Sequence, residues 1–155
     1  MMRIDKFDQK ILAALQLDGS ATNQDLSDRV GLSPSQCSRR RTQLEAEGVI
    51  QGYSAKLNPE ALGLGVTVFI SVTLARHSKV NSERFRALME RLDEVQEAHS
   101  MTGDMDYLVK VTVSDLAALS QFINDVLLPH EAVHQVHSTI VLNTIKRNGG
   151  LPMSF

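Results

Sequence analysis

The run TNQDLSDRVGLSPSQCSRRRTQLEAEGVIQG, from Thr22 to Gly52, constrains the fold more than any other part of this chain. Thr22 and, three residues on, Asp25 form a capping box at a helix start. Ala21 before that cap and Leu26 inside the helix are placed to form a small hydrophobic staple. Val30-Gly31-Leu32 makes a turn in which glycine takes the left-handed conformation of a helix stop. Ser33-Pro34 then opens another helix, with a serine cap, proline at the first helical position and Gln36 at the reciprocal capping position. Gly48 ends it. Two capped helices meeting at a glycine turn are the arrangement that presents a helix to the major groove of duplex DNA.

The second helix carries Arg39, Arg40 and Arg41. At about 100° per residue, Cys37 and Leu44 share one line and point to the core. Ser35, Arg39 and Thr42 lie opposite, flanked by Gln36, Ser38 and Gln43. These six form the face open to base edges. A guanidinium such as that of Arg39 suits guanine, and the amides of Gln36 or Gln43 suit adenine. Arg40 lies at the flank, where a phosphate contact is expected. Arg41 falls close to the core line, so its stem must pack inside while its head snorkels outward.

Formal charge is −2, with 16 Lys/Arg against 18 Asp/Glu. Residues 1–60 hold eight of each sign, so the arginine run is a local basic patch on a neutral half. Such a patch grips phosphates with weak long-range steering. No apolar run approaches the ~20 residues of a membrane span. The start MMRIDKFDQK has no apolar signal core, and the single cysteine, Cys37, excludes an internal disulfide and a thiolate-rich metal cage. A cytoplasmic protein without cofactor or metal is expected.

Upstream, Phe7, Ile11, Leu12 and Leu15 recur at helical spacing over Asp8–Leu17, and Asp18-Gly19 stops that helix. Downstream, Val49–Ala55 alternates loosely and reads as a small β-wing. Leu57–Gly65 carries one proline and two glycines and reads as a linker. Beyond it the period changes to two. Val66 to Leu74 forms a strand, Phe85 to Leu92 marks a helix, and Val95–Met101 is a weaker strand. Tyr107 to Val113 is a clear strand, Leu116 to Leu127 a helix closed by Pro129, and Val133–Ile145 the last strand. The order β-α-β-β-α-β is the ferredoxin-like arrangement. The fold class is therefore α+β: a winged helix-turn-helix domain over 1–56, a linker over 57–65 and a ferredoxin-like domain over 66–155. Two helices cover one sheet face, leaving Thr67, Phe69 and their neighbours on the other. That face reads as too apolar for water, which implies a second subunit and at least a homodimer.

The turn Met101–Tyr107 joins the two central strands. Gly103 permits close backbone approach, Asp104 and Asp106 could hold an ammonium group, and turn amides could hold a carboxylate. His130-Glu131-Ala132-Val133-His134 matches the H-E-x-x-H zinc-peptidase pattern. On a strand, residues four apart lie roughly 13 Å from each other, too far to share one zinc. His99 and His137 read as surface histidines.

The segments FDQKILAALQLDGS, DLSDRVGLSPSQCSRRRTQLEAEGVIQGYSAKLNPEALG, TGDMDYLVKV and HSTIVLNTIK together resemble the leucine-responsive/asparagine-regulator (Lrp/AsnC) family of bacterial and archaeal transcription regulators. The resemblance implies a DNA-reading domain linked to a sheet domain that dimerises. Dimers would associate into tetramers, octamers or discs, with amino-acid effectors between neighbouring dimers. It implicates Gly103, Asp104, Asp106 and Tyr107 of one subunit, and Ser138, Thr139 and Ile140 from a last strand facing them. Members more often carry an aliphatic residue where this chain has Arg41. The alternative is an enzyme on the same scaffold, zinc-dependent or tetrapyrrole-processing. It lacks a nucleophile–base pair and leaves the helix-turn-helix unexplained.

Overall fold

The computed structural model describes residues 4–75, 78–147 and 149–153. The described residues divide into two compact units, one of those up to Lys56 together with those from Lys146 onward, the other within Leu57–Ile145.

The first unit is three helices, α1 (Lys6–Leu17), α2 (Asn23–Val30) and α3 (Pro34–Ala46). Helix α1 starts two residues before the expected position. Asp5 is its cap and Asp8 completes a capping box, a D-x-x-D signal at the level of local sequence. The Thr22–Asp25 and Ser33–Gln36 boxes form as read, and Gly31 takes φ 79° between α2 and α3. Ile11, Leu12, Leu15, Ala21, Leu26, Val30, Cys37 and Leu44 form the core of this unit, with both staple residues inside it. Complete burial of Leu44 alone contributes about 1.5–3 kcal/mol. After α3 the structure departs from expectation. No strand forms between Gln51 and Ala55, so the wing is absent. A wing strand needs a second strand to pair with, and the proline- and glycine-bearing stretch that follows offers none; Glu60–Leu62 makes a 3-10 turn there instead.

The second unit is a four-stranded antiparallel sheet of order β2-β3-β1-β4: β1 (Val66–Leu74), β2 (Val95–Ser100), β3 (Tyr107–Val113) and β4 (Val133–Ile140). Helices α4 (Lys79–Met89) and α5 (Leu116–Gln121) supply the cover for one face. Val68, Ile70 and Val72 pair with Val111, Val109 and Tyr107, and these rows pack on Phe85, Leu88, Leu119, Phe122 and Leu127. Helix α5 does not run on to Leu127 as an α-helix; Phe122–Leu127 is a π-helical segment, closed by Leu128 N–H donating to the Ile123 carbonyl at 2.9 Å. Widening that turn keeps both Phe122 and Leu127 in the core.

The register places Thr67, Phe69, Ser71 and Thr73 on the uncovered face with Leu108, Lys110, Glu97, His99, His137 and Thr139. Lys110 donates to Glu97 at 2.8 Å there. The face is thus mixed, with Phe69 and Leu108 set among polar and charged groups, rather than too apolar for water. The alternation of β1 alone cannot reveal this, because Glu97, Lys110 and His137 are supplied by β2, β3 and β4. Strand β4 also stops at Ile140, five residues before the expected end. Among the described residues, those from Lys146 onward group with the first unit. Gln16 and Leu151 bond reciprocally through the side-chain amide, and Met153 packs on the helical core.

Candidate DNA-reading face and effector turn

Helix α3 is oriented by what it buries. Cys37 and Leu44 have no exposed surface, and burial pushes the Cys37 thiol above its ordinary range, so it acts as a small core hydrophobe. Ser35, Gln36, Arg39, Thr42 and Gln43 are exposed and Ser38 is half-buried. Among the described residues Arg39 has no hydrogen-bond or ion-pair partner. Gln36 is committed: its side-chain oxygen accepts from Ser33 N–H at 3.0 Å in the capping box, and Ser35 Oγ lies 3.1 Å from Ser33 Oγ. The side-chain oxygen of Gln36 is thus held within the helix's own first turn.

The two remaining arginines are engaged within the unit. Nη1 of Arg40 donates to Asp5 Oδ2 at 2.8 Å and to Asp8 Oδ1 at 2.7 Å, and its guanidinium lies 5.6 Å from the Phe7 ring centre. Asp8 is only 2% exposed; it also accepts from Asp5 N–H at 3.0 Å, so this buried carboxylate is fully partnered. Hydrogen bonding from the Asp8 N–H, then from Arg40, holds Asp5 below the usual carboxylate range. Arg41 solves its position near the core line as expected, by sending its head to the surface. It donates to Glu45 at 3.2 Å, to Tyr53 Oη at 2.8 Å and to the Ala21 carbonyl at 3.1 Å. Its guanidinium stacks 4.5 Å from the Tyr53 ring centre, and Tyr53 in turn donates to Glu45 at 2.7 Å. The segment expected to be a wing is thereby pinned to α3. Asp5, Asp8, Glu45 and Tyr53 are residues that sequence reasoning missed as partners. The pairings of Arg40 with Asp5 and Asp8 and of Arg41 with Tyr53 join remote turns and leave no periodic trace, whereas Glu45 stands four residues after Arg41 on one helix.

In the sheet unit, the turn between β2 and β3 closes through Met101 N–H to the Asp106 carbonyl at 2.9 Å. Gly103 has φ 107°, open to glycine and strained for other residues. Gly103 and Asp104 are exposed at the tip. Asp106 has a structural duty, since Oδ2 accepts from Leu74 N–H at 2.7 Å and finishes strand β1. Tyr107 turns to the helix side and packs on Phe85, ring centres 4.6 Å apart. A cavity of about 310 Å³ adjoins the turn, lined by Asp106, Tyr107, Met101 and Ser100 with Ser78, Lys79 and Ser82 from the start of α4. That is the small end of the range for ligand pockets. The α4 side of this cavity begins at the Ser78 cap, whereas the sequence spacing predicts that helix only from Phe85.

Ser138, Thr139 and Ile140 are exposed on edge strand β4. They do not meet the turn within one chain. Tyr107 is level with Val72, whereas Ser138 and Ile140 are level with Ile70 and Val68 on the far side of β1. Strand spacing and rise put them roughly 12–17 Å from Tyr107. The H-E-x-x-H segment straddles a turn and β4: His130 Nδ1 accepts from Ala132 N–H at 3.3 Å, and Glu131 pairs with Arg84 at 2.6 Å. Among the described residues no group of three potential ligands comes together for a metal, and no helix is long and apolar enough to cross a membrane.

Two family models match the chain, a winged helix-turn-helix DNA-binding model over residues 4–51 and the Lrp/AsnC ligand binding domain over residues 67–151. The leucine-responsive regulatory protein of Salmonella typhimurium is 40% identical over 148 residues, 96% of this chain and 90% of that protein. The protein of the same name from Escherichia coli K12 is 39% identical over the same shares. Among solved structures, a Neisseria meningitidis transcriptional regulator in complex with L-Met superposes with a TM-score of 0.94 at 42% identity, covering 97% of each chain. An AsnC family regulator from Agrobacterium tumefaciens gives 0.89 at 37% identity, covering 96% of this chain and 97% of that one. A helix-turn-helix whose second helix turns its polar face outward, joined to a four-stranded sheet unit of this descent, makes the chain a member of the Lrp/AsnC family of DNA-binding transcriptional regulators.

Proposed function

We propose that this regulator reads duplex DNA through Ser35, Ser38, Arg39, Thr42 and Gln43, and that its affinity or assembly responds to an amino acid. The observation that carries the reading is the division of α3. Cys37 and Leu44 are wholly buried while Arg39 stands exposed and uncommitted on the opposite side. Gln36 contributes by holding the first turn of the helix. The effector site is composite: Gly103, Asp104, Asp106 and Tyr107 of one subunit complement Ser138, Thr139 and Ile140 of another. The separation of these groups within one chain favours a site between subunits, and the L-Met complex of the N. meningitidis relative favours an amino-acid ligand. Homodimers form through the uncovered sheet face around Phe69 and Leu108 and associate further to tetramers or octamers. Effector action is then a difference in affinity between assembly states. The protein works in the cytoplasm as a regulator and not as an enzyme, in keeping with the names of its relatives.

The test is selection of bound duplexes from a random pool, with and without a panel of amino acids, beside a measurement of assembly mass. Enrichment of a pseudo-palindromic site whose occupancy shifts with one or a few amino acids is expected. Failure to enrich any sequence would overturn the regulator reading. Enrichment indifferent to every amino acid would overturn the effector.

A further inference from the structure

The geometry points to Arg40 as a positioning residue that sets the roll of α3 for Arg39, and not as a phosphate contact. The inference rests on α3 being the element that meets DNA. One guanidinium nitrogen bridges both acidic positions in the first turn of α1, the cap Asp5 and the third helical residue Asp8. Asp8 is almost wholly buried, so this partner cannot swing away to follow its arginine. Two carboxylates against one guanidinium leave the cluster net negative, a poor surface for a phosphate. The Phe7 ring closes another side of the head group. Apolar contacts through Cys37 and Leu44 hold α3 down, but the hydrophobic driving force itself is non-directional. Charge-assisted hydrogen bonds to two fixed oxygens resist rotation of α3 about its axis. Arg39 is the neighbouring residue, so its direction is set by this brace. A base contact tolerates only small angular error. Arg41 is likewise neutralised by Glu45 and stacked on Tyr53, which leaves Arg39 as the arginine of the run with its charge available to a ligand.

The experiment compares wild type with Arg40→Gln, Arg40→Lys and Asp8→Asn. Each is titrated, over a range of salt, with a duplex enriched by the wild type and with a scrambled duplex of the same composition. The brace predicts that Arg40→Gln and Asp8→Asn each lower the ratio of the two affinities by roughly tenfold, about 1.4 kcal/mol of discrimination. The slope of log affinity against log salt stays unchanged. Arg40→Lys restores the ratio, because both bonds come from a single nitrogen that an ammonium can replace. A phosphate contact predicts the reverse: a slope shallower by about one and an unaltered ratio for Arg40→Gln. Asp8→Asn discriminates most sharply. On charge alone, removing a carboxylate near DNA tightens binding to both duplexes, and that result would overturn the brace. Circular dichroism melts accompany every variant. Should Asp8→Asn unfold the unit, Asp5→Asn takes its place and is expected to give a smaller loss in the same sense. A wild type that enriches no duplex sinks the regulator reading together with the brace, whereas a shallower slope in Arg40→Gln sinks the brace alone.

Discussion

The helical unit and the sheet unit reach order by different means. In the first, three short helices each begin at a reciprocal capping box, and two arginines of α3 are tied to carboxylates on other turns. Its apolar core is small, and capping side chains decide where the helices start. In the second, long ladders carry the apolar rows and the core is larger, with Phe85, Ile70, Val109, Val111 and Leu127 wholly or almost wholly buried. The difference teaches which unit answers to which perturbation. Directional polar bonds fix angle in the reader, while buried area fixes stability in the sheet.

The largest expected effect comes from the sheet core. Phe85→Ala removes a buried ring packed at a tilt against Tyr107 and should cost about 3–5 kcal/mol. The chain has no tryptophan and two tyrosines, Tyr53 in one unit and Tyr107 in the other. Single Tyr→Phe versions therefore report each unit by fluorescence during urea unfolding. The Tyr107 transition should move to lower urea, and an equal shift of the Tyr53 transition would erase the contrast between the units.

Next in size is a cap. Ser33→Ala deprives Gln36 N–H of its partner and should cost about 1 kcal/mol, seen as an earlier Tyr53 transition with the Tyr107 transition unmoved. A smaller change is expected from Tyr53→Phe, which keeps the stack on Arg41 but drops the hydroxyl. Exposed bonds of this kind are worth about 0.5 kcal/mol. A thermal melt followed by circular dichroism should fall by only a few degrees, and a large fall would mean that the segment after α3 is a structural pillar.

The smallest effect is acid sensitivity. Asp18 and Asp25 lie below the usual carboxylate range, chiefly through hydrogen bonds from Ser20 and Thr22 respectively, and Asp5 joins them. In the sheet unit Glu97 is lowered by Lys110 first, and Asp115 by the Ala118 N–H. A depressed folded value gives stability that is present above the unfolded value and lost as pH falls through the folded one. With three such groups against two, the reader should loosen first below about pH 4. An acid titration in which the Tyr107 signal changes before that of Tyr53 would reverse the comparison.

Much of this fold is written locally. Thr22 with Asp25, Ser33 with Gln36, and Gly31 at the turn act over a few residues, so their consequences can be read without a structure. The alternation from Val66 to Leu74 and from Tyr107 to Val113 is equally legible, because one face of each strand is buried. Less was legible of the candidate sites. The exposed face of α3 and the capping role of Gln36 follow from local spacing, yet the engagement of Arg40 by Asp5 and Asp8 does not. The cavity beside the β2–β3 turn draws Ser78, Lys79 and Ser82 from the start of α4, which nothing in the turn sequence announces.

What the residues determined by themselves was the order of the main helices and strands, the capped starts of α2 and α3, and the arginine-bearing helix, all short-range effects of dihedral preference and apolar period. What the tertiary structure decided was pairing at a distance. Asp8 meets Arg40, Tyr53 folds onto Arg41 instead of building a wing, Leu151 returns to Gln16, and Phe122–Leu127 widens into a π-turn. Such pairings depend on where packing brings remote turns together, and packing is governed by the whole core, which no short window of the chain contains.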